Sequence, residues 1–264
     1  MNNNVQPPQR TNTTAVIVTY HPDNDFPSRL ECICKELDTV LIVDNGSNES
    51  ELSMIKSTAD MYNVHIITNG QNLGVSAALN QGIKWAIDHK FNWLLSMDQD
   101  TVLNEGFIQT FTDVYNSCAN ERNIAIIGAN YIDRLTEVPL VTADESHLWQ
   151  DAFSVITSGA LMNLAAVNDI GLYREEFFVD YLDAEYCLRA KSKGYDIVIT
   201  AKPLMVHTIG FPRWHKFFGR RLITPHLVPE RRYYMSRNLI VLIKEYKKQY
   251  PGWIKQLIIS RIKE

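Results

Sequence analysis

Two aspartates separated by one residue, Asp98 and Asp100, directly follow an apolar run at 93–97 that has the character of a buried strand. Carboxylate oxygens are the ligands that Mg²⁺ and Mn²⁺ prefer, and these cations usually keep substrate phosphates in their coordination shell. In such a pair, one carboxylate would reach a divalent cation while the other reaches a ribose hydroxyl. An isolated Asp-x-Asp match is most often a surface turn, so its position at a strand end carries the interpretation.

Three further side chains could take part in this chemistry. Asp183 and Glu185 lie in the first turn of a predicted helix, where any carboxylate is favoured by the helix dipole. The functional alternative is that Asp183 projects into a cleft as a general base for an acceptor hydroxyl. His207 follows another buried run. A lone histidine there is more often satisfied by hydrogen bonds, but a neutral imidazole would also complete a metal site with Asp100.

Short apolar strands alternating with amphipathic helices must position these residues. Strands are predicted at 15–20, 40–43, 64–67, 93–97 and 124–127, with helical periods through 75–87 and 107–114. This alternation predicts an α/β fold with a mostly parallel central sheet and helices on both faces. Since ligands in such sheets sit beyond the carboxyl ends of strands, Asp44 at the end of the second strand is also a candidate.

Several protein classes are disfavoured. Neither GxGxxG nor GxxxxGK[ST] occurs, so a dinucleotide fold or a P-loop enzyme would lack its usual phosphate cradle. Hydrophobic residues make up 45% and charged residues 21%, as in a globular protein. The four cysteines show no CxxC pair, which argues against a zinc cage or a disulfide framework. No run approaches the ~20 apolar residues of a membrane span, and the polar start has no signal-peptide core. A cytoplasmic protein is expected.

Charge is distributed unevenly along the chain. Residues 1–188 carry 9 Lys and Arg against 26 Asp and Glu, a net −17, and residues 189–264 carry 17 against 4, a net +13, which together give −4. The basic part predicts contact with something anionic: a nucleic acid, a phosphorylated ligand or an acidic membrane surface. Mutual neutralisation of the two parts within the fold is an equally good explanation.

Taken in order, the motifs resemble those of inverting GT-A glycosyltransferases of family 2, over roughly residues 14–240. They are the first strand, the stretch 43–47, Asn72-Leu73-Gly74 with Asn80-Gln81-Gly82, Asp98-Gln99-Asp100 and Asp183-Ala184-Glu185. Within the family, three features are most similar to bacterial dTDP-rhamnosyltransferases: residues 183–189, Gly194-Tyr195, and Arg231-Arg232-Tyr233-Tyr234 with Arg237-Asn238. The resemblance implies a Rossmann-like GT-A fold.

The resemblance also implies which residues bind a nucleotide-sugar donor. They are Thr19, Tyr20, Asp44, Asn72, Gly74, Asp98 and Arg213. Thr19 and Tyr20 would line the base pocket, and Asp44 would read the pyrimidine ring or its ribose. Asn72 and Gly74 would approach the nucleotide, where a glycine lets the backbone come close, and Asp98 would meet the ribose.

For catalysis, Asp183 matches the base of the family, and Leu182 precedes it where a second acid is often found. Asp100 and His207 would hold Mg²⁺ or Mn²⁺. His207 lies 207 − 183 = 24 residues after Asp183, as does a metal-binding histidine in galactofuranosyl members. Asp180, Glu185 and Trp214 are implied to contact the acceptor or to support the site.

The implied reaction is direct displacement with inversion at the anomeric carbon. Asp183 would take the proton of the attacking hydroxyl, while the metal and nearby cations stabilise the leaving nucleoside diphosphate. We expect Asp183 to be ionised at pH 7 without a large upward pKa shift. The hypothesised donor is dTDP-L-rhamnose and the acceptor a saccharide or polyprenyl-linked saccharide, in cell-surface polysaccharide or O-antigen synthesis. The alternatives are a UDP-sugar donor (galactose, N-acetylglucosamine or galactofuranose) and a catalytically silent nucleotide-sugar-binding protein.

Three segments are predicted: a flexible leader at 1–13, a catalytic domain at 14–228 and a basic amphipathic helical extension at 229–264. The mixture of aromatic residues and cations at 211–218 could suggest single-stranded nucleic acid. The resemblance instead implies a mobile loop over donor and acceptor, so no nucleic-acid partner is expected. The extension is predicted to lie on a membrane surface at the inner face of the cytoplasmic membrane, to pack on the domain, or to form a homo-oligomer.

Overall fold

The structure is a computed structural model that describes residues 5–142, 146–207, 212–217, 220–225 and 228–262, with the backbone alone for 212–217 and 220–225. The strands are β1 (Thr13–Thr19), β2 (Thr39–Asp44), β3 (His65–Thr68), β4 (Trp93–Asp98), β5 (Val102–Leu103), β6 (Ile124–Asp133), β7 (Trp149–Asp151), β8 (Ala160–Asn163), β9 (Asp196–His207), β10 (Pro212–Phe217) and β11 (Arg220–Pro225). The helices are α1 (Phe26–Glu36), α2 (Glu49–Tyr62), α3 (Val75–Asp88), α4 (Phe107–Cys118), α5 (Leu164–Ile170), α6 (Leu182–Ser192), α7 (Pro229–Tyr246) and α8 (Pro251–Ile262).

The central sheet has the strand order β3-β2-β1-β4-β8-β6-β9-β5, with β7 paired to β9. Strands β3, β2, β1 and β4 are parallel, as are β6 and β9. Strand β8 enters between β4 and β6 and pairs antiparallel with both, so the sheet is mixed. The α/β fold is confirmed, and β1, β2, β3, β4 and β6 lie where the sequence predicts strands.

Alternate residues of the central strands enter two different cores. Ala15 and Ile17 of β1 pack in the core that contains the apolar sides of α1, α2 and α4. Val16 packs in the core of the opposite face, with α3, α5 and α6. The change of face at every residue follows from the strand period of two. Because both faces are covered, the strands read as continuous apolar runs in the sequence.

Residues 5–12, which belong to the predicted flexible leader, lie against the sheet and α4. The indole of Trp93 donates a hydrogen bond to the Gln6 carbonyl at 2.8 Å, and the Tyr115 hydroxyl donates to the Val5 carbonyl at 3.0 Å. The Thr112 hydroxyl also donates to the Pro8 carbonyl at 2.5 Å. This part of the segment is therefore held by the domain that follows it.

The C-terminal helices pack on the face of the sheet that carries α6. Leu242 of α7 and Ile254 of α8 are buried in the same core as α3 and α6. The Tyr246 hydroxyl donates to Glu185 at 3.1 Å. Most of the predicted apolar stripe, including Trp253 and Leu257, packs against this core. Within the described ranges, no helix combines the length and apolar character needed to cross a bilayer.

Gly82, in the middle of α3, shows how closely helix and sheet approach each other. A Cβ atom at Gly82 would overlap the side chain of Val16 in β1. By contrast, a Cβ at Gly252, the second residue of α8, would meet no atom within 4 Å. A side chain therefore has no room at Gly82 but has free space at Gly252.

We predict that Gly82→Ala destabilises the protein. Overpacking costs about 1–3 kcal/mol, which exceeds the roughly 1 kcal/mol that alanine gains over glycine in a helix. Urea unfolding should show a lower free energy of unfolding for Gly82→Ala, while the control Gly252→Ala is unchanged or more stable. A Gly82→Ala protein at least as stable as the wild type would show that the helix can move away from β1 at no cost.

Candidate active site

The carboxyl ends of three parallel strands meet at one edge of the sheet and end in Thr19, Asp44 and Asp98. After Asp98, the side chain of Gln99 turns toward the end of β1. Its amide accepts from the Tyr20 backbone N–H at 2.8 Å and donates to the Tyr20 carbonyl at 3.0 Å. Gln99 thus ties β4 to β1, which the sequence analysis did not foresee because it treated this residue as a spacer.

Asp98, Asp100 and His207 offer ligand atoms that all lie within 4.8 Å of one another. His207 ends β9, and β9 pairs antiparallel with β5, with Val102 opposite Val206. Because β5 begins two residues after Asp100, this short pairing brings Asp100 beside His207. The predicted metal residues therefore lie together, although Thr101, the neighbour of Asp100, is 106 positions from His207 in the chain.

The surroundings of His207 fix its ring. The Thr101 hydroxyl lies 3.0 Å from Nδ1, and the Tyr131 ring meets the imidazole edge-on at 5.5 Å. Burial lowers the pKa of His207, with Arg134 acting in the same direction and Asp100 opposing, so the imidazole is neutral at pH 7. A neutral imidazole with two carboxylates is a donor set that suits a divalent cation such as Mn²⁺ or Mg²⁺.

The charge of Asp98 is poorly compensated by the protein alone. Burial raises its pKa to about 7, the charge of Asp100 adds to this effect, and Arg231 opposes it. A bound divalent cation would supply the missing positive charge and restore an ionised carboxylate. The electrostatics of Asp98 therefore fit the same cation as the donor set.

Asp183 lies in the first turn of α6, where its Oδ1 accepts from the Ala184 N–H at 2.8 Å. Its pKa is raised to about 6, mainly by burial and also by the charges of Asp180 and Asp98, while backbone N–H groups oppose the rise. The expectation of no large upward shift is wrong, because burial was not visible in the sequence. With this pKa the carboxylate is still largely ionised at pH 7. The charge of Asp98 therefore reaches the candidate base.

The turn before α6 is held by α7. Asp180 and Tyr181 have left-handed backbone angles, with φ of 60° and 63°. The Asp180 carboxylate accepts two hydrogen bonds from Arg231, both at 2.9 Å. Asn238 donates to the carbonyls of Val179 and Asp180 at 2.9 and 2.8 Å. Of its two implied roles, acceptor contact or support, these bonds give Asp180 a supporting one.

On the donor side, Asp44 is only 1% exposed and stabilises the loop that follows β2. Its carboxylate accepts from the hydroxyls of Thr19 and Ser47 and from the N–H groups of Gly46 and Ser47. Thr19, which is fully buried, is therefore linked to Asp44. The Tyr20 ring is 45% exposed at the mouth of the site, and of the implied base-pocket residues it is the accessible one.

Asn45 organises the neighbouring loop, and the sequence analysis assigned it no role beyond its place in the stretch 43–47. It is 2% exposed; its Oδ1 accepts from Asn69 and the Leu73 N–H, and its Nδ2 donates to Asn72 Oδ1 and the Gly74 carbonyl. Asn72 also accepts from the Gly74 N–H at 2.9 Å. The sequence signal for Asn45 was its place beside Asp44 at a strand end.

Gly74 is required for a reason other than the one implied by the resemblance. Its φ is 87°, and a Cβ there would lie 2.5 Å from the ring of Phe178. The following Val75 N–H donates to the Phe178 carbonyl at 2.7 Å. A glycine at this position therefore lets the loop after β3 touch the segment that leads to Asp183.

Glu185 points away from this site. It is 1% exposed and accepts hydrogen bonds from Arg189 at 2.9 and 3.0 Å and from the Tyr246 hydroxyl. Its role among the described contacts is supporting. Arg213 and Trp214 fall in β10, which forms an antiparallel hairpin with β11, and their side chains lie outside the described part of the chain.

Arg231 is a second residue whose role the sequence did not reveal. It belongs to a motif that carries the family resemblance, but its position 133 residues after Asp98 gave no sign of contact. In the fold Arg231 forms an ion pair with Asp180, and its positive charge acts to lower the pKa of Asp98. The candidate site thus combines two carboxylates and an imidazole that suit a divalent cation with the partly exposed carboxylate of Asp183 and with an arginine. These groups have the chemistry needed to bind a diphosphate and to accept a proton from a hydroxyl.

The raised pKa of Asp183 predicts a pH-dependent gain in stability for Asp183→Asn. Because the folded-state pKa of about 6 exceeds the ordinary 3.8, ionisation opposes folding; this cost is absent below pH 3.8 and complete above pH 6. Without metal, the variant should therefore be more stable than the wild type at pH 8, by up to about 3 kcal/mol. Urea unfolding with a chelator at pH 8 and pH 5 should show the difference shrinking at the lower pH. A difference independent of pH would contradict the burial of an ionised Asp183.

Comparison with known proteins gives consistent results. The family described as glycosyl transferase family 2 matches residues 14–138. The dTDP-rhamnosyl transferase RfbF of Shigella flexneri is 30% identical over 269 residues, covering 96% of this chain and 86% of that protein. The family match includes the strand ends at Thr19, Asp44 and Asp98. The match with the Shigella protein is longer and also includes α7.

Solved structures show a similar fold. S. aureus TarS 1–349 in complex with UDP-GlcNAc has a TM-score of 0.62 at 14% identity, covering 88% of this chain and 67% of that one. The mannosyltransferase PcManGT from Pyrobaculum calidifontis, in complex with GDP-Man and Mn²⁺, has a TM-score of 0.59 at 16% identity, covering 78% and 59%. The chain thus spans about two thirds or less of these structures, and the likeness confirms the predicted GT-A architecture. With this fold and a 30% identical relative along nearly all of its length, the chain belongs to glycosyltransferase family 2.

Proposed function

We propose that this glycosyltransferase moves L-rhamnose from dTDP-L-rhamnose to a hydroxyl of a saccharide or lipid-linked saccharide, with inversion, in cell-surface polysaccharide synthesis. The observation that supports the catalytic part is the grouping of Asp98, Asp100 and His207, together with the influence of the Asp98 charge on the pKa of Asp183. The choice of rhamnose is supported by the name of the 30% identical Shigella relative and by the sequence resemblance.

Asp183 performs the central step of the proposed mechanism. Its carboxylate takes the proton from the acceptor hydroxyl as that oxygen forms a bond to the anomeric carbon. The bond from this carbon to the diphosphate oxygen breaks, and its electron pair leaves with the nucleoside diphosphate. Arg231, next to Asp98, adds positive charge where negative charge develops. A single carboxylate base with direct attack gives inversion.

The metal is proposed to be Mn²⁺ or Mg²⁺, held by Asp100 and His207 with Asp98 beside them. A divalent cation supplies positive charge to the diphosphate and thereby eases its departure. The proposal is supported by the donor set and by the raised pKa of Asp98. The mannosyltransferase of similar fold was solved with Mn²⁺.

Cation binding should depend on pH through Asp98. Because this carboxyl has a pKa of about 7, its proton must leave before it can face a cation, so affinity falls about tenfold for each pH unit below 7. Calorimetric titration with Mn²⁺ should give about tenfold weaker binding at pH 6 than at pH 8. Asp98→Asn should lose this dependence, and His207→Ala should bind weakly at both values. Equal affinity of the wild type for Mn²⁺ at pH 6 and pH 8 would show that Asp98 takes no part in cation binding.

A donor panel tests the proposed function itself. We expect dTDP with Mn²⁺ to raise the melting temperature more than UDP does, and dTDP-L-rhamnose to be turned over with release of dTDP. Asp183→Asn should keep the thermal stabilisation by dTDP and lose turnover, because the amide cannot accept the proton. Asp113→Asn, the same change at an exposed position of α4, is the matched control and should behave as the wild type.

The outcomes of the panel separate the alternatives. Stabilisation and turnover with a UDP-sugar but not with the dTDP compounds would favour the UDP-sugar transferase. Binding without turnover of any donor would favour the silent nucleotide-sugar-binding protein. Substantial turnover by Asp183→Asn would remove this residue from the role of base.

The C-terminal helices leave a smaller surface for partners than the sequence suggests. Tyr233, Ile240 and Ile259 are exposed on α7 and α8, whereas Ile254 is buried. We propose that the exposed residues, together with the net +13 of residues 189–264, allow contact with an acidic membrane surface at the cytoplasmic face. Pairing of two copies through the same helices is the alternative proposal.

A further inference from the structure

The turn at 179–181 is an unfavourable piece of backbone immediately before the base. Asp180 and Tyr181 both adopt left-handed angles, which side-chain-bearing residues rarely do and which occur here in succession. Two residues later comes Asp183. Such conformations persist where surrounding contacts determine them, and they occur preferentially at functional sites.

The contacts that determine this turn come from α7. Asn238 is fully buried, and its side-chain NH₂ donates to the two consecutive carbonyls of the turn, those of Val179 and Asp180. Its carbonyl oxygen accepts from Arg237 at 2.8 and 3.0 Å. Arg231, two turns earlier in the helix, holds the Asp180 side chain in a bidentate ion pair. Helix α7 thus holds both the backbone and the Asp180 side chain of the turn, and Arg261 of α8 lies over the Tyr181 ring, 5.3 Å from its centroid.

A buried amide is an unusual choice if α7 only has to pack. The adjacent Leu239 and Leu242 fill the core with apolar side chains, and burial of a polar group is unfavourable unless its hydrogen bonds are all formed. In Asn238 they are formed, and two of them end on the turn that presents Asp183. The packing of Tyr234 of the same helix against Phe178, with ring centroids 4.9 Å apart, extends the contact to the residue before the turn.

From these contacts we propose that Asn238 is a positioning residue for the catalytic base. By fixing the backbone at 179–181, it holds the Asp183 carboxylate where it meets the acceptor hydroxyl. It touches neither the donor nor the metal residues in the described contacts, so it acts on the rate of the chemical step and leaves donor binding intact. The inference rests on the proposed function of Asp183.

Asn238→Asp is the test variant, because it replaces the donating NH₂ by an oxygen that faces two carbonyls at nearly unchanged volume. Misplacement of a reacting group by about 1 Å costs on the order of 100-fold, so we expect kcat to fall about 10- to 100-fold. The affinity for dTDP with Mn²⁺ should stay within about threefold of the wild type. Turnover is followed as nucleoside diphosphate release from the donor that the panel identifies, with water as acceptor.

Asn163→Asp is the matched control. Asn163 is also a buried asparagine that donates to a backbone carbonyl, that of Ile124 at 3.1 Å, and it lies opposite Trp93 at the far end of β4 from Asp98. Both variants lose buried hydrogen bonds and should melt at lower temperatures than the wild type. Only Asn238→Asp should lose kcat. Asn238→Ser, which keeps one donor, should give an intermediate kcat if the aspartate variant does not fold.

Hydrogen exchange supplies a readout that does not depend on any donor. Amides of the peptide 176–186 should exchange faster in Asn238→Asp than in the wild type and in Asn163→Asp, because the turn is released. Unchanged exchange there, or a kcat within about threefold of the wild type in folded protein, overturns the inference. A common loss of kcat and donor affinity in both variants also overturns it. Full activity of Asp183→Asn would instead defeat the proposed function and leave the exchange result to decide the positioning of the turn.

Discussion

The candidate site depends on carboxylates that are brought together in a partly buried place. The charge of Asp100 adds to the effect of burial in raising the pKa of Asp98, and the charge of Asp98 in turn helps to raise the pKa of Asp183. The negative charge is only partly compensated by Arg231, whose guanidinium binds Asp180 and interacts electrostatically with Asp98. An arrangement of this kind is unfavourable for an isolated fold and favourable for binding positive charge. These electrostatics support the proposal that the acidic residues bind a divalent cation together with a diphosphate.

The sheet is built so that this concentration of charge occurs at one edge. Parallel strands β1, β2 and β4 end together, which brings Thr19, Asp44 and Asp98 to the same edge. The two-residue strand β5 then runs along the end of β9 and sets Asp100 beside His207. Because these pairings are backbone hydrogen bonds within a well-packed sheet, the side chains of Asp98, Asp100 and His207 are held together without a bound cation. Such preorganisation limits the ordering that binding would otherwise require.

The sequence predicted the parts of this arrangement that local patterns encode. Strand ends are marked by apolar runs followed by acids, so Asp44 and Asp98 could be placed at the sheet edge, and the first turn of α6 identified Asp183. The features decided by long-range contacts could not be predicted. Asp44 accepts a hydrogen bond from the Thr19 hydroxyl, Gly74 makes room for Phe178, and the mixed direction of the sheet follows from β8. The pKa of Asp183 was misjudged for the same reason, since burial arises from residues distant in the chain.

The most consequential of these long-range contacts join α7 to the turn before the base. A boundary between catalytic domain and extension at 228/229 follows naturally from composition, because the basic helices begin there. Yet Arg231 and Asn238 lie beyond that boundary and hold the side chain and backbone of Asp180. At the fully buried position of Asn238, a helix that only covered the sheet would need an apolar residue, as it has at Leu242. Arg231 and Asn238 are explained if the helix completes the site, so that the turn before the proposed base is held only when α7 has packed. By this argument, α7 belongs to the catalytic unit in physical terms, and its arginine and asparagine are the features by which the sequence could have revealed it.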